Sequence, residues 1–189
     1  MIKNLLAFIG AVVIVAMIGM YAAFGSKVAS LDEKAMPAFM AMFDNILTNG
    51  DPARAMMKTW PVEEGISGDE VKESIQALTE EYNMRLTGYV KMYTKEDAKP
   101  DEVKEARIYS LCNLTTAKVF LNYSQWYGGF MPCRIMYIEY GDGHANLTSM
   151  DMTLAIHGGK PLPKEMLEAA LKVKEAMEKV PERAAMGDF

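Results

Sequence analysis

The stretch FMPCRIMYIEYGDGHANLTSMDMTLAI, from Phe130 to Ile156, decides how this chain folds. Its first half, through Tyr140, is dense in strand-favouring residues such as Ile135, Tyr137 and Ile138. Asp142-Gly143 then carries the signal of a tight hairpin, and ANLTSMDMTLAI reads as the returning strand. Strands joined by so short a turn pair antiparallel. On the returning strand, alternation puts Met150 and Met152 on one face. Asp151 falls on the other, outward or paired with a cation such as Arg134.

Working back from the hairpin, ARIYSLCN is a strand ending at Cys112. Asn113 is a good N-cap for LTTAKVFLNYSQWY, in which Ala117, Phe120, Tyr123 and Tyr127 share a face and Gly128-Gly129 marks the stop. MRLTGYVKMYTK alternates, with Leu86, Val90 and Met92 facing one way and Thr87, Tyr89, Lys91 and Tyr93 the other. KPDEVKE after it is a loop or short helical turn. Ser67 and Glu70 have capping-box spacing and open a helix whose face is Val71, Ile75, Leu78 and Tyr82. AMMKTWPVEEG, from Ala55, is a short strand. Beyond the hairpin, HGGKPLP is a loop leading into a final helix marked by Met166, Ala170, Val173, Met177 and Val180. This order predicts an α+β fold, an antiparallel sheet with helices packed on one face.

An apolar helix precedes that domain. Leu5–Phe24 is twenty residues without a charge, long enough to span a bilayer core as a helix. Lys3 and the amine lie before it, so the positive-inside rule keeps the N-terminus in the cytoplasm and exports the rest. The expectation is a single-pass anchor in a bacterial inner membrane with its C-terminal domain in the periplasm. The alternative is a cleaved signal peptide, with Val28-Ala29-Ser30 as the cleavage site, and a soluble periplasmic protein. Next comes LDEKAMPAFMAMFDNILTNG, an amphipathic helix with Asp32 as N-cap and Asn49-Gly50 as its end. Met36, Met40, Phe43 and Leu47 form its apolar stripe, expected to pack on its own domain, with docking on a partner subunit as the alternative. The chain thus divides into an anchor and joint (1–30), an amphipathic helix (31–52) and an α+β domain (53–189).

The net charge of −5, with no run of Lys or Arg longer than two, argues against nucleic-acid binding. There is no CxxCH for covalent haem, and no GxGxxG, Walker loop, HExxH or GxSxG. Chemistry therefore centres on the two cysteines. Cys112, just before a helix, would feel the positive helix end, which lowers a thiol pKa. Parallel pairing of the strands around that helix would set Cys133 beside it. A disulfide between them would close roughly 22 residues and contribute about 3 kcal/mol. The alternatives are adjacent thiols without chemistry, ligands of a metal or cofactor, a redox switch, and unpaired core cysteines.

Seventeen methionines are an unusual number, and Cys and Met are soft donors that select Cu(I). The metal candidates are Cys112, Cys133, Met131, Met150, Met152 and His157, against the alternative that these methionines simply fill cores. His144 falls in the hairpin turn and is expected to be solvated. Candidate ligand-binding residues are Cys112, Asn113, Cys133, Arg134, His157 and Lys160, the last on a loop that Gly158-Gly159 makes flexible. That loop is expected to be a connector, with a lid over a ligand, or an anion site built from its backbone amides, as the alternatives.

Several pieces of the sequence resemble one bacterial family. They are Cys112-Asn113 before a helix, Pro132-Cys133-Arg134 opening a strand, and the Asp142-Gly143 hairpin. Met150-Asp151-Met152, His157-Gly158-Gly159-Lys160-Pro161-Leu162-Pro163 and the closing Gly187-Asp188-Phe189 complete the set. Together they are similar to the domain-of-unknown-function family 302, in a long, membrane-anchored branch, over residues 32–189. The resemblance implies a TATA-binding-protein-like α+β fold, for which a homodimer is common, and no assigned reaction. The expected function is a membrane-anchored periplasmic binding or accessory domain holding a small ligand or soft metal near Cys112 and Cys133. The alternatives are a structural subunit of a respiratory or sulfur-handling membrane complex, and a cysteine-based redox enzyme. The latter lacks an evident general base beside Cys112.

Overall fold

The computed structural model describes residues 2–189. Helix α1 (Ile2–Ala29) is followed by α2 (Ala35–Asn49), α3 (Pro52–Met56) and β1 (Met57–Pro61). Then come α4 (Gly68–Glu81), β2 (Arg85–Thr94), β3 (Val103–Cys112) and α5 (Leu114–Tyr123), which runs into a 3₁₀ turn (Gln125–Phe130). The chain closes with β4 (Cys133–Tyr140), β5 (Ala145–Met150), α6 (Thr153–His157) and α7 (Lys164–Ala185). The five strands form one antiparallel sheet in the order β1-β5-β4-β3-β2. The fold is α+β, as the hairpin implied.

Helices α4 and α7 cover one face of that sheet. Val71, Ile75 and Leu78 of α4 and Ala176, Met177 and Val180 of α7 pack on Tyr109, Leu111, Ile135, Tyr137 and Leu147. Leu111 and Ile135 are fully buried, each worth about 1.5–3 kcal/mol relative to exposure. The capping box at Ser67 forms as expected, with Glu70 bonding back to the Ser67 N–H. A second apolar cluster joins Phe120 of α5, Ile156 of α6 and Met166 and Ala170 of α7 beyond the end of the strands.

Four local expectations are corrected. The returning strand stops at Met150: Asp151 accepts the Thr153 N–H at 2.8 Å and starts α6, so Met150-Asp151-Met152 is a strand end and a turn rather than three strand residues. Strict alternation in β2 fails because the register slips between Leu86 and Gly88 and again between Lys91 and Tyr93. Leu86 and Tyr89 therefore join the core while Val90 lies exposed. Val103, Lys104 and Glu105, read as loop, belong to β3. Asp32 is not the N-cap of α2: it lies in the turn before the helix and accepts the Lys34 N–H.

Helix α1 is long and apolar enough to cross a membrane, and none of its apolar window is buried against the domain. Helix α2 ends at Gly50 in the left-handed conformation, as the Asn-Gly pair suggested. It packs on α3 and α6 through its other side, where Ala35 is buried and Ala38, Met42 and Ile46 are half-buried. The stripe of Met36, Met40, Phe43 and Leu47 is exposed, contrary to the expectation that it would pack on its own domain.

Candidate functional site

The sulfur-bearing residues converge at one end of the sheet. Cys112 closes β3 and Cys133 opens β4, and because these strands are antiparallel their ends are neighbours. The expectation that parallel pairing would set the two cysteines side by side is corrected: parallel strands would put the end of β3 and the start of β4 at opposite ends of the sheet, and it is the antiparallel pairing that brings them together. Met150 closes β5 at the same end, and Met84 lies immediately before β2. Asn113 caps α5 by accepting the Thr116 N–H at 2.9 Å, and it donates to the Asn83 carbonyl at 2.9 Å. That bond ties the start of α5 to the turn before β2. Helix α5 and its 3₁₀ extension, past a cis Met131–Pro132 bond, then lead back into β4.

Between these strand ends and helices α5, α6 and α7 lies a cavity of about 60 Å³. Its lining includes Cys112, Cys133, Met131, Met150, Met152 and Met84, with Phe120, Tyr127, Ile156 and Ala170 completing a wall that is almost wholly apolar. Room of this size takes a single ion or a small molecular group, and the wall offers a trapped water few partners. Five of the six residues read from the sequence as soft-metal candidates border this one space. Met84 was missed; its position just before a strand that starts at the same sheet end was the available signal.

Both cysteines are free thiols, so the disulfide considered from the sequence is absent from the structure. Cys133 stands opposite Leu111 on the β3–β4 ladder, one position off Cys112, and both cysteines border the same cavity. Burial pushes the Cys133 thiol up to about 11, and the nearby Cys112 adds to the shift. Burial also raises Cys112, the reverse of the helix-end effect expected. Both sulfurs are thus protonated at neutral pH and weak nucleophiles.

The other candidates go elsewhere. His157 is buried, away from the cavity, with Nδ1 3.2 Å from Oδ2 of Asp32. Nothing local in the sequence announces that pairing. The Lys34 N–H, then the His157 ring, hold the Asp32 carboxyl below its usual range. Gly159 accepts the Asp32 N–H at 2.8 Å, so the His157-Gly158-Gly159 segment clasps the joint between α1 and α2. Lys160 and Arg134 are exposed. Asp151 takes its hydrogen bond from Thr153, not from Arg134. His144 is exposed in the hairpin, paired with Asp142 and stacked on Tyr140. Among the described residues, no three His, Cys, Asp or Glu side chains gather as a metal cluster. Any metal at the cavity would therefore depend on methionine thioethers as well as the two cysteines.

Comparison with known proteins bears on the whole α+β domain. The family model described as "Domain of unknown function DUF302" matches residues 58–184. The chain belongs to the DUF302 family. A crystal structure of an uncharacterized conserved DUF302 protein from Bacillus stearothermophilus superposes with a TM-score of 0.52 at 15% identity, covering 68% of this chain and 98% of that one. At that identity the likeness concerns the fold alone. No curated protein matches the chain. The DUF302 match begins one residue into β1 and takes in the cavity, the clasping loop and most of α7. Helices α1 and α2 lie outside it.

Proposed function

We propose that this DUF302 protein is a single-pass, membrane-anchored binding module on the periplasmic side, and that its cavity holds one soft monovalent metal ion, Cu(I). The observation that carries the reading is the shared lining: two thiols and four thioethers from six separate positions border one small apolar space. Sulfur donors of this kind favour Cu(I) over harder ions. A dry wall excludes water that would compete as a ligand for the ion. Orientation follows from α1 as the span with Lys3 on the cytoplasmic side.

Ligation needs a thiolate, so uptake releases protons and tightens as pH rises. The test is anaerobic titration of the full chain in detergent with Cu(I) against a chromophoric Cu(I) chelator. The expected result is one equivalent withdrawn from the chelator, with binding lost in Cys112→Ser/Cys133→Ser and weakened in Met150→Leu. Failure of the folded wild-type chain to compete for Cu(I) would overturn the reading.

A further inference from the structure

Helix α2 carries one charged residue, Asp44, in its fifteen. Its outward side instead presents Met36, Phe39, Met40, Phe43 and Leu47, all exposed. The solvent-facing side of α4 behaves as an ordinary surface helix should, with Asp69, Glu70, Lys72, Glu73, Glu80 and Glu81. A contiguous apolar stripe left open on a folded domain marks a contact with something apolar.

The position of α2 identifies what that is. Only Ser30–Lys34 separate α1 from α2. Those residues form a compact turn: Ser30 and Leu31 N–H groups bond to Lys27 and Val28, and the Ala35 N–H bonds to Asp32. The turn is fixed to the domain by Asp32, through Gly159 and His157. Wherever α1 leaves a bilayer, α2 is held at that surface. Tyr123, Trp126 and Phe130, also exposed, sit on the 3₁₀ turn and the end of α5, at the same end of the sheet. The far end, by contrast, carries Lys95, Glu96, Asp97, Asp101 and Asp142 in its turns.

We infer that α2 lies in the interfacial layer of the bilayer that α1 crosses, its stripe of Met36, Phe39, Met40, Phe43 and Leu47 turned into the lipid. The inference goes beyond the cavity reading and rests only on α1 being a span. With no Lys or Arg on α2, the attachment depends on apolar area and on the tether, so it does not require anionic lipid. It fixes the orientation of the domain, setting the sulfur-lined end of the sheet next to the membrane.

Native methionines report on this directly. In the free chain Met40 is 60% exposed and Met92, on the edge strand β2, 58%, so their intrinsic accessibility is matched. The wild-type full chain is reconstituted into neutral phosphatidylcholine vesicles at less than one chain per vesicle, which leaves no second copy. It is then treated with peroxymonosulfate, a membrane-impermeant oxidant that converts Met to its sulfoxide, and read by mass spectrometry. The expected result is that Met36 and Met40 oxidise at least tenfold more slowly than Met92, as do Met17 and Met20 within α1. If Met17 and Met20 are shielded while Met36 and Met40 react as fast as Met92, the inference is overturned and the span stands. If Met17 and Met20 also react fast, the span reading fails and takes this inference with it. If Met36 and Met40 become shielded only when a second copy is present at high protein-to-lipid ratio, the stripe covers another chain and the inference is likewise overturned.

Discussion

The Asp32 carboxylate lies 3.2 Å from Nδ1 of His157, a contact between residues 125 apart that joins the turn between α1 and α2 to the end of α6. Both side chains are buried, and the Gly159 carbonyl adds a backbone bond to Asp32. Removing either side chain leaves the other without its partner in an enclosed place, which is costly for a polar group. In Asp32→Ala or His157→Ala, the joint 30–34 should open. Limited proteolysis of the full chain should cut there at least several-fold faster than in the wild type, while the 53–189 core stays protected. Equal cutting rates would show that the clasp contributes nothing to holding α2.

The same pair sets a pH dependence. The Lys34 N–H and then the His157 ring depress the Asp32 carboxyl below its usual 3.8. A depressed acid contributes stability at pH above its unfolded value, and that contribution fades as pH falls through the lower, folded value. The attachment of α2 is therefore expected to persist down to about pH 4 and to loosen below it. Amide exchange across 35–49, measured against pH, should show an acid step. Asp32→Asn should show no such step, since it cannot titrate.

These contacts also mark how far the sequence could be read. The hairpin at Asp142-Gly143, the Ser67 capping box and the α7 stripe are local patterns, and each formed where the pattern put it. The β2 slips at Gly88 and Tyr93 were hidden because a bulge depends on the partner strand rather than on residues in line. The end of β5 was misread because Met150-Asp151-Met152 fits both an alternating strand and an Asx-type turn, and only the Thr153 N–H bonding to Asp151 separates them. Of the candidate site, the sulfur set was legible as residue types. Its assembly depended on antiparallel pairing of β3 with β4, which the intervening helix α5 disguised as a parallel crossover. His157 was assigned to chemistry because its partner lies far away in sequence.

The thiols make a third prediction. With Cys133 at about 11, only about one thiol in ten thousand is ionised at pH 7, and Cys112 is shifted the same way. Iodoacetamide should label both slowly at pH 7 in the folded chain, Cys112 ahead of the more buried Cys133, with rates climbing toward pH 10. Peptide mass spectrometry of timed samples reads both sites. A Cys112 that labels faster than a free peptide thiol at pH 7 would restore the nucleophile reading that its burial argues against.

At the other end of the core, Arg107 is held by three elements. Its Nη1 donates to the Gly68 carbonyl at 2.7 Å and to Asp69 at 2.6 Å, its Nε pairs with Glu105, and its guanidinium stacks 5.7 Å from the Tyr137 ring centre. Glu105 shares its charge with Lys91 at 2.7 Å. Taking out Arg107 alone leaves a buried carboxylate with one half-exposed partner, and breaking a buried pair this way costs about 3 kcal/mol or more. Arg107→Met is therefore expected to lower Tm by roughly 6–12 °C, at about 2–4 °C per kcal/mol for a domain of this size. Arg107→Met/Glu105→Met removes the stranded charge and should recover part of the loss, which a double-mutant cycle by thermal denaturation measures. A double variant less stable than Arg107→Met would mean that Glu105 is satisfied by Lys91 alone, and that Arg107 acts through its bond to the start of α4 rather than as half of an ion pair.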